Sequence, residues 1–148
     1  LVWDDGGAKH TSDYIDNPKW QRSITRAGLS CMEALRVGEW ERGRWKDLLQ
    51  QSQLFAQQSG MMDEAVRAQL HGKVATTLDE LGLQGHLAVR LCMLGTSVAV
   101  LPRNLEDVPG IEEYERLGKL LQAAGRGVLL TGVAPVTTTH QKLRDQED

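Results

Sequence analysis

The sequence predicts an α+β fold, in which an N-terminal helical lobe is followed by a small mixed α/β lobe. Apolar residues recur every three or four positions as far as residue 81, which is the period of an amphipathic helix. From residue 87 the large apolar residues occupy alternate positions, which is the period of a strand. A chain of 148 residues is long enough to bury a core of its own.

Breaks in this pattern divide the chain into four parts. Residues 1–16 open on acidic residues and glycines, and they are predicted to be linker-like. The helical lobe covers 17–85, the α/β lobe covers 86–135, and residues 136–148 form a polar tail. Because both ends have the composition of a linker, we expect a domain cut from a longer polypeptide.

The helical lobe is predicted to contain short helices that end at glycines. The first begins at Asn17, an Asx N-cap followed by proline, and ends at Gly28. A capping-box pattern at residues 30–33 starts a second, short helix. Further helices are predicted over 39–59, 61–71 and 73–81.

The α/β lobe is predicted to combine an antiparallel hairpin with one strand–helix–strand unit. The hairpin strands are 87–94, whose composition is also compatible with a helix, and 97–101. A tight turn at Gly95 joins them. Helix 109–124 then leads to strand 127–133. A crossover of this kind normally places its two strands parallel in one sheet.

The charge pattern argues against a stand-alone nucleic-acid-binding protein but leaves a local basic face. The net charge is −3, whereas nucleic-acid-binding domains are usually basic. Residues 17–53 nevertheless hold seven Lys and Arg against four Asp and Glu. Tryptophans lie among these basic residues. A Trp ring can stack on a base while an Arg side chain holds a phosphate. For Trp20 and Trp45, packing in the protein core is the alternative to stacking on a base. The candidate nucleic-acid face comprises Lys19, Arg22, Arg26, Arg42 and Arg44.

No motif for a metal, a nucleotide or a nucleophile is present, so no cofactor is expected. The four histidines show no zinc-ligand spacing, and Gly72-Lys73 lacks the other residues of a phosphate loop. Cys31 and Cys92 have no partner at short spacing, and we interpret them as reduced, buried thiols of a cytosolic protein. The alternative is a small enzyme centred on Cys31, placed at a helix start, or on His71.

The stretch VLPRNLEDVPG at 100–110 is the candidate contact loop. It is predicted to leave a strand and enter a helix, at the edge where open α/β sheets bind their ligands. Its acidic residues disfavour an anion, whereas a proline-stiffened polar loop suits a protein partner. An ordinary connector remains the alternative. The candidate contact residues are Arg103, Asn104, Glu106 and Asp107.

Two stretches carry a resemblance to a known family: NPKWQRSITRAGLSCMEALRVGEWERGRW at 17–45 and VLPRNLEDVPGIEEYERLGKLLQAAGRGVLL at 100–130. Their order resembles the C-terminal region of F-like conjugative relaxase–helicases, plasmid enzymes that nick and unwind DNA for transfer. In that family the nicking tyrosines, metal-binding histidines and ATP-binding loops belong to other domains. Tyr14 and Tyr114 are not in a paired arrangement, so no catalytic residue is carried over.

The resemblance implies a non-catalytic module that is required for plasmid transfer. Its expected partners are other conjugative-transfer proteins, either of the relaxosome or of the coupling and secretion machinery. The parent protein would be a cytoplasmic bacterial enzyme that uses ATP, while this domain would hold no cofactor. A module that binds single-stranded DNA is the alternative from a different class. No apolar run approaches the length of a membrane span.

Overall fold

Helices surround one four-stranded sheet. The computed structural model describes residues 1–4, 12–92 and 95–132. The strands are β1 (Val2–Trp3), β2 (Leu87–Leu91), β3 (Ser97–Pro102) and β4 (Gly127–Val128). The helices are α1 (Ser12–Ile15), α2 (Pro18–Arg36), α3 (Trp45–Gln58), α4 (Ala65–Glu80) and α5 (Ile111–Ala123), with short 3-10 turns at Arg42–Arg44 and Met61–Asp63. The predicted α+β class is confirmed.

The first residues of the chain lie inside the sheet. The strand order is β2-β3-β1-β4, and each neighbouring pair is antiparallel. Val2 is opposite Val98 on one side and Val128 on the other, and it is 2% exposed. The prediction that 1–16 is linker-like is therefore wrong for these first residues and for α1. Residues 5–11 lie outside the described part of the chain.

The strand–helix–strand unit is present, but its strands are not neighbours. β3, α5 and β4 follow one another along the chain. Both strands are antiparallel to β1, so they run in the same direction with β1 between them. The prediction of two adjacent parallel strands is corrected accordingly. The last strand ends at Val128, and residues 133–148, which include the predicted polar tail, lie outside the described residues.

The hairpin of β2 and β3 is confirmed. Leu91 is opposite Val98, and Leu87 is opposite Pro102. Gly95, between the strands, has a φ of +93°, in the left-handed region that glycine adopts with the least strain. β2 is shorter than the predicted 87–94, of which residues 93–94 lie outside the described ones.

The two predicted helices at the start of the helical lobe are one helix. α2 begins after Asn17 as predicted, but it continues through Gly28 and residues 30–33 to Arg36. Gly28 lies against the ring of Phe55 on α3, so the absence of a side chain there allows close packing. Packing on α3 thus keeps the helix continuous where local capping signals predict a break.

The next predicted helices also differ in their bounds. The 39–59 helix begins only at Trp45, after a 3-10 turn that contains Gly43. The predicted helices 61–71 and 73–81 are the single helix α4, which passes through Gly72. Continuity is maintained because α4 buries one side chain per turn, namely Leu70, Val74 and Leu78.

Both predicted lobes contribute to one core. α4 and α5 cover one face of the sheet, and strand alternation brings Val2, Leu87, Val89 and Val98 to that face. Ala88 faces the other way and is fully buried, and α3 packs against β2. The buried hydrophobic core consists of Val2, Leu70, Val74, Leu78, Leu83, Leu87, Val89, Val98, Leu117 and Leu121.

Candidate functional site

The candidate contact loop leaves β3 and enters α5 as predicted. Its four candidate residues, Arg103, Asn104, Glu106 and Asp107, are all exposed, and Leu105 is half-buried. The loop therefore presents polar side chains on the surface and keeps one apolar side chain partly covered.

Main-chain contacts hold the start of this loop. The indole N–H of Trp45, the first residue of α3, donates to the Pro102 carbonyl at 2.7 Å. The backbone N–H of Arg103 donates to the His86 carbonyl at 2.7 Å, and its guanidinium donates to the Gln84 carbonyl at 2.8 Å. α3 and the segment before β2 thus fix where the loop begins.

Side-chain contacts hold the rest of the loop. Arg42 donates to the Leu105 carbonyl at 3.2 Å and pairs with Glu106 at 3.1 Å. His86 Nδ1 lies 3.2 Å from an Asp107 carboxylate oxygen. The side chains of the Arg42–Glu106 pair are 68% and 69% exposed, so this ion pair adds little stability.

The start of α5 is occupied by one of its own residues. The N-cap is Gly110, so the helix begins at Ile111 and not at the predicted 109. The Glu113 carboxylate accepts the Gly110 N–H at 2.7 Å. An external anion would have to displace this carboxylate, which agrees with the expectation from the sequence that the loop does not bind a phosphate.

A depression separates the loop from the 3-10 turn before α3. Its volume is about 340 Å³. The segment before and at the start of α3 contributes two cations, and the loop contributes one cation, one amide and one carboxylate. The lining residues are Arg42, Gly43, Trp45, Lys46 and Arg103–Glu106. Such a depression can accept a projecting side chain of a partner.

Trp45→Phe tests the anchoring of the loop. The substitution keeps an aromatic ring but removes the donor to the Pro102 carbonyl. We expect the free energy of unfolding to fall by about 1 kcal/mol and amide exchange at Arg103 to accelerate. Urea titration and hydrogen exchange measure the two effects. Trp40→Phe is the matched control, because Trp40 is 58% exposed and should change neither.

The five residues of the candidate nucleic-acid face do not converge. Lys19, Arg22 and Arg26 are exposed on α2. Arg44 instead donates to the carbonyl of Leu35 near the other end of α2, about 24 Å along the helix from Lys19. Arg42 is engaged with the contact loop. A single basic face made of all five residues is therefore not present.

The tryptophans of that region have structural roles, with one exception. Trp20 packs edge-on against Tyr14, with ring centroids 5.2 Å apart. Trp45 anchors the contact loop. The Arg44 guanidinium lies 4.6 Å from the ring centroid of Trp40, and Arg44 also pairs with Asp47 at 3.3 Å. Trp40 alone among these three is largely exposed.

A cationic groove next to the loop was missed by the sequence analysis. It lies between α3 and the β2–β3 hairpin and has a volume of about 370 Å³. Lys46, Arg90 and Arg103 line it together with Gln50 and Gln53. Arg90 donates to the main-chain carbonyls of Leu49 and Val89, each at 2.7 Å. Burial and the charge of Arg103 lower the pKa of Arg90, because both disfavour its charged form.

The predicted thiol site has the wrong environment for a nucleophile. Cys31 lies within α2 rather than at a helix start, and its thiol donates to the Gln51 carbonyl at 3.4 Å. Burial raises the pKa of this thiol, which opposes thiolate formation. Cys31 is buried and free, as predicted for a packed thiol. Cys92 is also free, but it is half-buried and not buried as predicted.

His71 covers the outer edge of β2. One ring nitrogen bonds to the Val89 main chain, while Nε2 is buried with no hydrogen-bond partner among the described residues. Burial lowers the pKa of His71, the charge of Arg90 lowers it further, and the bond to Val89 opposes the shift. The folded protein therefore favours the neutral ring.

This pKa shift predicts a dependence of stability on pH. Because the folded-state pKa lies below the unfolded value near 6.5, the unfolded chain binds more protons in this range. The contribution is complete above about pH 6.5 and is lost as the pH falls below it. We expect the free energy of unfolding to fall less between pH 7.5 and 5 in His71→Gln than in the unchanged chain. An identical decline in the two proteins would contradict this.

Neither a metal-binding cluster nor a membrane-spanning helix is found among the described residues. No group of three or more His, Cys, Asp or Glu side chains in the described ranges is arranged to hold a metal ion. Among the helices of those ranges, none has the length and apolar character needed to cross a bilayer. Comparison with protein-family models, with curated proteins and with solved structures returned no match to this chain.

Proposed function

We propose that this chain is a non-catalytic interaction and recruitment domain of a larger conjugative relaxase–helicase. The parent enzyme would nick and unwind plasmid DNA with ATP in the bacterial cytoplasm, and this domain would dock other transfer proteins. The observation that carries the proposal is the contact loop, whose polar side chains are exposed while its main chain accepts hydrogen bonds from Trp45 and Arg42. Its two carboxylates, Glu106 and Asp107, lie against Arg42 and His86.

A loop held in this way is suited to binding a protein. Ordering a mobile loop opposes association, so a loop that is ordered beforehand loses less conformational entropy on binding. The Arg42–Glu106 and His86–Asp107 contacts bring two loop carboxylates next to groups outside the loop. These pairs contribute little to folding, so their value lies in the surface that they form.

The loop favours a partner that carries charges of both signs. Arg42, Lys46 and Arg103 line the depression together with Glu106, and Asp107 is exposed next to it. Electrostatic complementarity of this kind gives specificity and a faster association rate more than raw affinity. We therefore expect docking that weakens as ionic strength rises.

The test combines a transfer assay with a pull-down from a lysate of transfer-proficient cells. In the parent protein, Glu106→Ala with Asp107→Ala should reduce plasmid transfer at least about tenfold and remove a transfer protein from the pull-down. Replacing 103–107 by Gly and Ser should have the larger effect. Glu112→Ala with Glu115→Ala is the matched control, since both residues are exposed on α5 outside the loop.

Unchanged transfer and an unchanged pull-down in the loop variants would overturn the proposal. Equal losses in the loop variant and in the α5 control would point to a general charge effect and would also count against it. Circular dichroism of the purified domain separates either result from misfolding.

The cationic groove supports the second candidate, a module that binds single-stranded DNA. Lys46, Arg90 and Arg103 lie around one groove, and none of the three pairs with a carboxylate in the described residues. Phosphate oxygens would complete such a site. The basic residues that the sequence pointed to on α2, Lys19, Arg22 and Arg26, do not line this groove.

Salt dependence tests this alternative. Lys46→Gln with Arg103→Gln should abolish binding to a single-stranded oligonucleotide at about 50 mM salt, and binding by the unchanged chain should weaken steeply as salt rises. Lys19→Gln with Arg22→Gln is the matched control. No binding by the unchanged chain, or equal loss in the two variants, removes the groove from consideration.

A further inference from the structure

A continuous row of exposed side chains runs along the outward side of α2. The helix buries Ala27 and Cys31 among its nineteen residues, and the Cys31 thiol lies against α3. On the side turned away from α3, residues spaced alternately three and four apart are all exposed, and this spacing places them on one face of a helix. We call them the outer stripe: Lys19, Arg22, Arg26, Leu29, Glu33 and Arg36.

The outer stripe concentrates positive charge where helix formation does not favour it. Four cations and one carboxylate give it a net charge of +3, whereas the whole chain has −3. Lys19 lies in the first turn of α2, which contains no acidic residue, and the positive end of a helix dipole disfavours a cation. Arg22 and Arg26, four residues apart, repel each other. These cations therefore do not serve to stabilise α2, which points to an anionic partner.

Large apolar side chains lie among the cations. Leu29 is 66% exposed within the outer stripe, and Met32, three residues further along, is 49% exposed. Residues three apart are neighbours on a helix surface, so the two form one apolar patch bounded by charged groups. A patch of this kind is typical of a surface that binds protein. A phosphate backbone would neutralise the cations but would leave the patch in water.

The length and spacing of the outer stripe match those of a second helix. From Lys19 to Arg36 the stripe is about 25 Å long. Alternating spacings of three and four are those at which two helices pack along each other. A partner helix would need carboxylates opposite the cations and apolar side chains opposite Leu29 and Met32. A basic residue opposite Glu33 would fix its register.

We propose that the outer stripe of α2 binds an acidic amphipathic helix of a partner protein. The affinity comes from covering Leu29 and Met32, and the ion pairs with the cations select the partner and speed its association. This surface lies outside the contact loop and adds a second docking site to the proposed function. It does not depend on the identity of the protein that the loop binds.

Three other occupants fit the outer stripe less well. A second copy of the chain would bring two stripes of +3 together. Single-stranded nucleic acid gains from stacking on an aromatic ring, but Trp20 of α2 packs against Tyr14. A lipid surface binds helices through a broad apolar face, whereas the buried face of α2, which includes Cys31, is directed to α3.

The test uses a fluorescent helical peptide of about 18 residues, the length of the outer stripe. It carries Glu and Leu on one face at alternating spacings of three and four, and its scrambled form has the same composition. Fluorescence anisotropy at about 50 mM salt measures the affinity. The peptide should bind the chain at least about tenfold more tightly than the scrambled form, and the largest amide shifts in NMR spectra should fall on α2.

Two double variants separate the apolar and ionic contributions. Leu29→Ser with Met32→Ser should weaken peptide binding at least about tenfold and leave its dependence on salt unchanged. Arg22→Gln with Arg26→Gln should weaken binding by a similar factor and also reduce the dependence on salt. All four residues are exposed, and circular dichroism confirms that each variant is folded.

Matched control variants lie on α5. Leu120→Ser removes an apolar side chain that is 45% exposed, and Arg116→Gln with Lys119→Gln removes two exposed cations. Neither should change the affinity for the peptide. The loop variant Glu106→Ala with Asp107→Ala should also bind the peptide normally, so a failure of the contact loop and a failure of the outer stripe are distinguishable.

Several results would overturn the assignment: no binding of the peptide, equal binding of its scrambled form, or unchanged affinity in either α2 variant. Binding of a single-stranded oligonucleotide or of anionic phospholipid vesicles that is lost in Arg22→Gln with Arg26→Gln, without preference for the ordered peptide, would assign the stripe to phosphate. Self-association that is lost in Leu29→Ser with Met32→Ser would assign it to a second copy.

Discussion

Replacing Arg67 with methionine is expected to lower the free energy of unfolding by about 3–5 kcal/mol, because it leaves a partner charge buried. Arg67 is 3% exposed, and its guanidinium lies 2.8 Å from the Glu64 carboxylate. It also donates to the Tyr14 hydroxyl at 2.9 Å, and that hydroxyl donates to the same carboxylate at 2.9 Å. The Glu64 side chain is 14% exposed, so water cannot fully replace the lost guanidinium.

Urea titration of three variants tests this prediction. The double variant Glu64→Gln with Arg67→Met should lose less than the sum of the single losses, since the two residues interact directly. Arg22→Met is the matched control, because Arg22 is exposed on α2. It should change the free energy of unfolding by less than about 0.5 kcal/mol. A loss below about 1 kcal/mol in Arg67→Met would show that the cluster contributes little.

Replacing Gly127 with valine is the second substitution with a large expected effect. Gly127 is paired with Trp3, and the indole ring lies over it, so that any Cβ at this position would overlap the ring. In an ordinary strand interior, a residue with a side chain would be more stable than glycine by about 0.5–1 kcal/mol. Here we expect the sign to be reversed, with a loss of about 3 kcal/mol from forced repacking.

The control for this prediction is Gly132→Val, because a Cβ at Gly132 would meet nothing within 4 Å. That variant should keep the stability of the unchanged chain. Removing the indole should relieve the overlap, so Gly127→Val combined with Trp3→Ala should lose less than the two single changes together. If Gly127→Val alone were neutral, Trp3 would not be held over the strand.

The sequence predicts the local elements of this fold well where the apolar period is unbroken. α5 and the β2–β3 hairpin have their own periods and their own turn glycine, so both are found close to the predicted bounds. The merged helices were not predicted, because the glycines at 28 and 72 are read locally as ends. Burial of a continuous apolar face overrides that local preference.

The central strand could not be predicted from its own residues. Two residues, Val2 and Trp3, show no period, and their partners Val98 and Val128 are far along the chain. Acidic residues and glycines directly afterwards favour a linker. Without β1, the strand–helix–strand pattern predicts neighbouring parallel strands, so one missed strand accounts for the topological error.

The candidate site was predicted in part. The position and exposure of the contact loop follow from strand and helix signals on either side of it. Its anchors do not, since they come from a distant part of the sequence. Trp45 lies 57 residues before Pro102, to which it bonds, and Arg42 lies 63 residues before Leu105. Arg90 was missed because an isolated arginine in an alternating strand has no motif around it.

The place of β1 also has a consequence for how the chain reaches this fold. Its partners lie roughly a hundred residues downstream, and contacts so distant in sequence slow folding because a long loop must close first. During synthesis, β1 emerges before its two neighbouring strands, β3 and β4, have been made. The helices α2, α3 and α4 can associate earlier, whereas the sheet can close only after β4 has left the ribosome. We expect the last step of folding to be the insertion of the first residues of the chain between two strands that are already positioned on the helices.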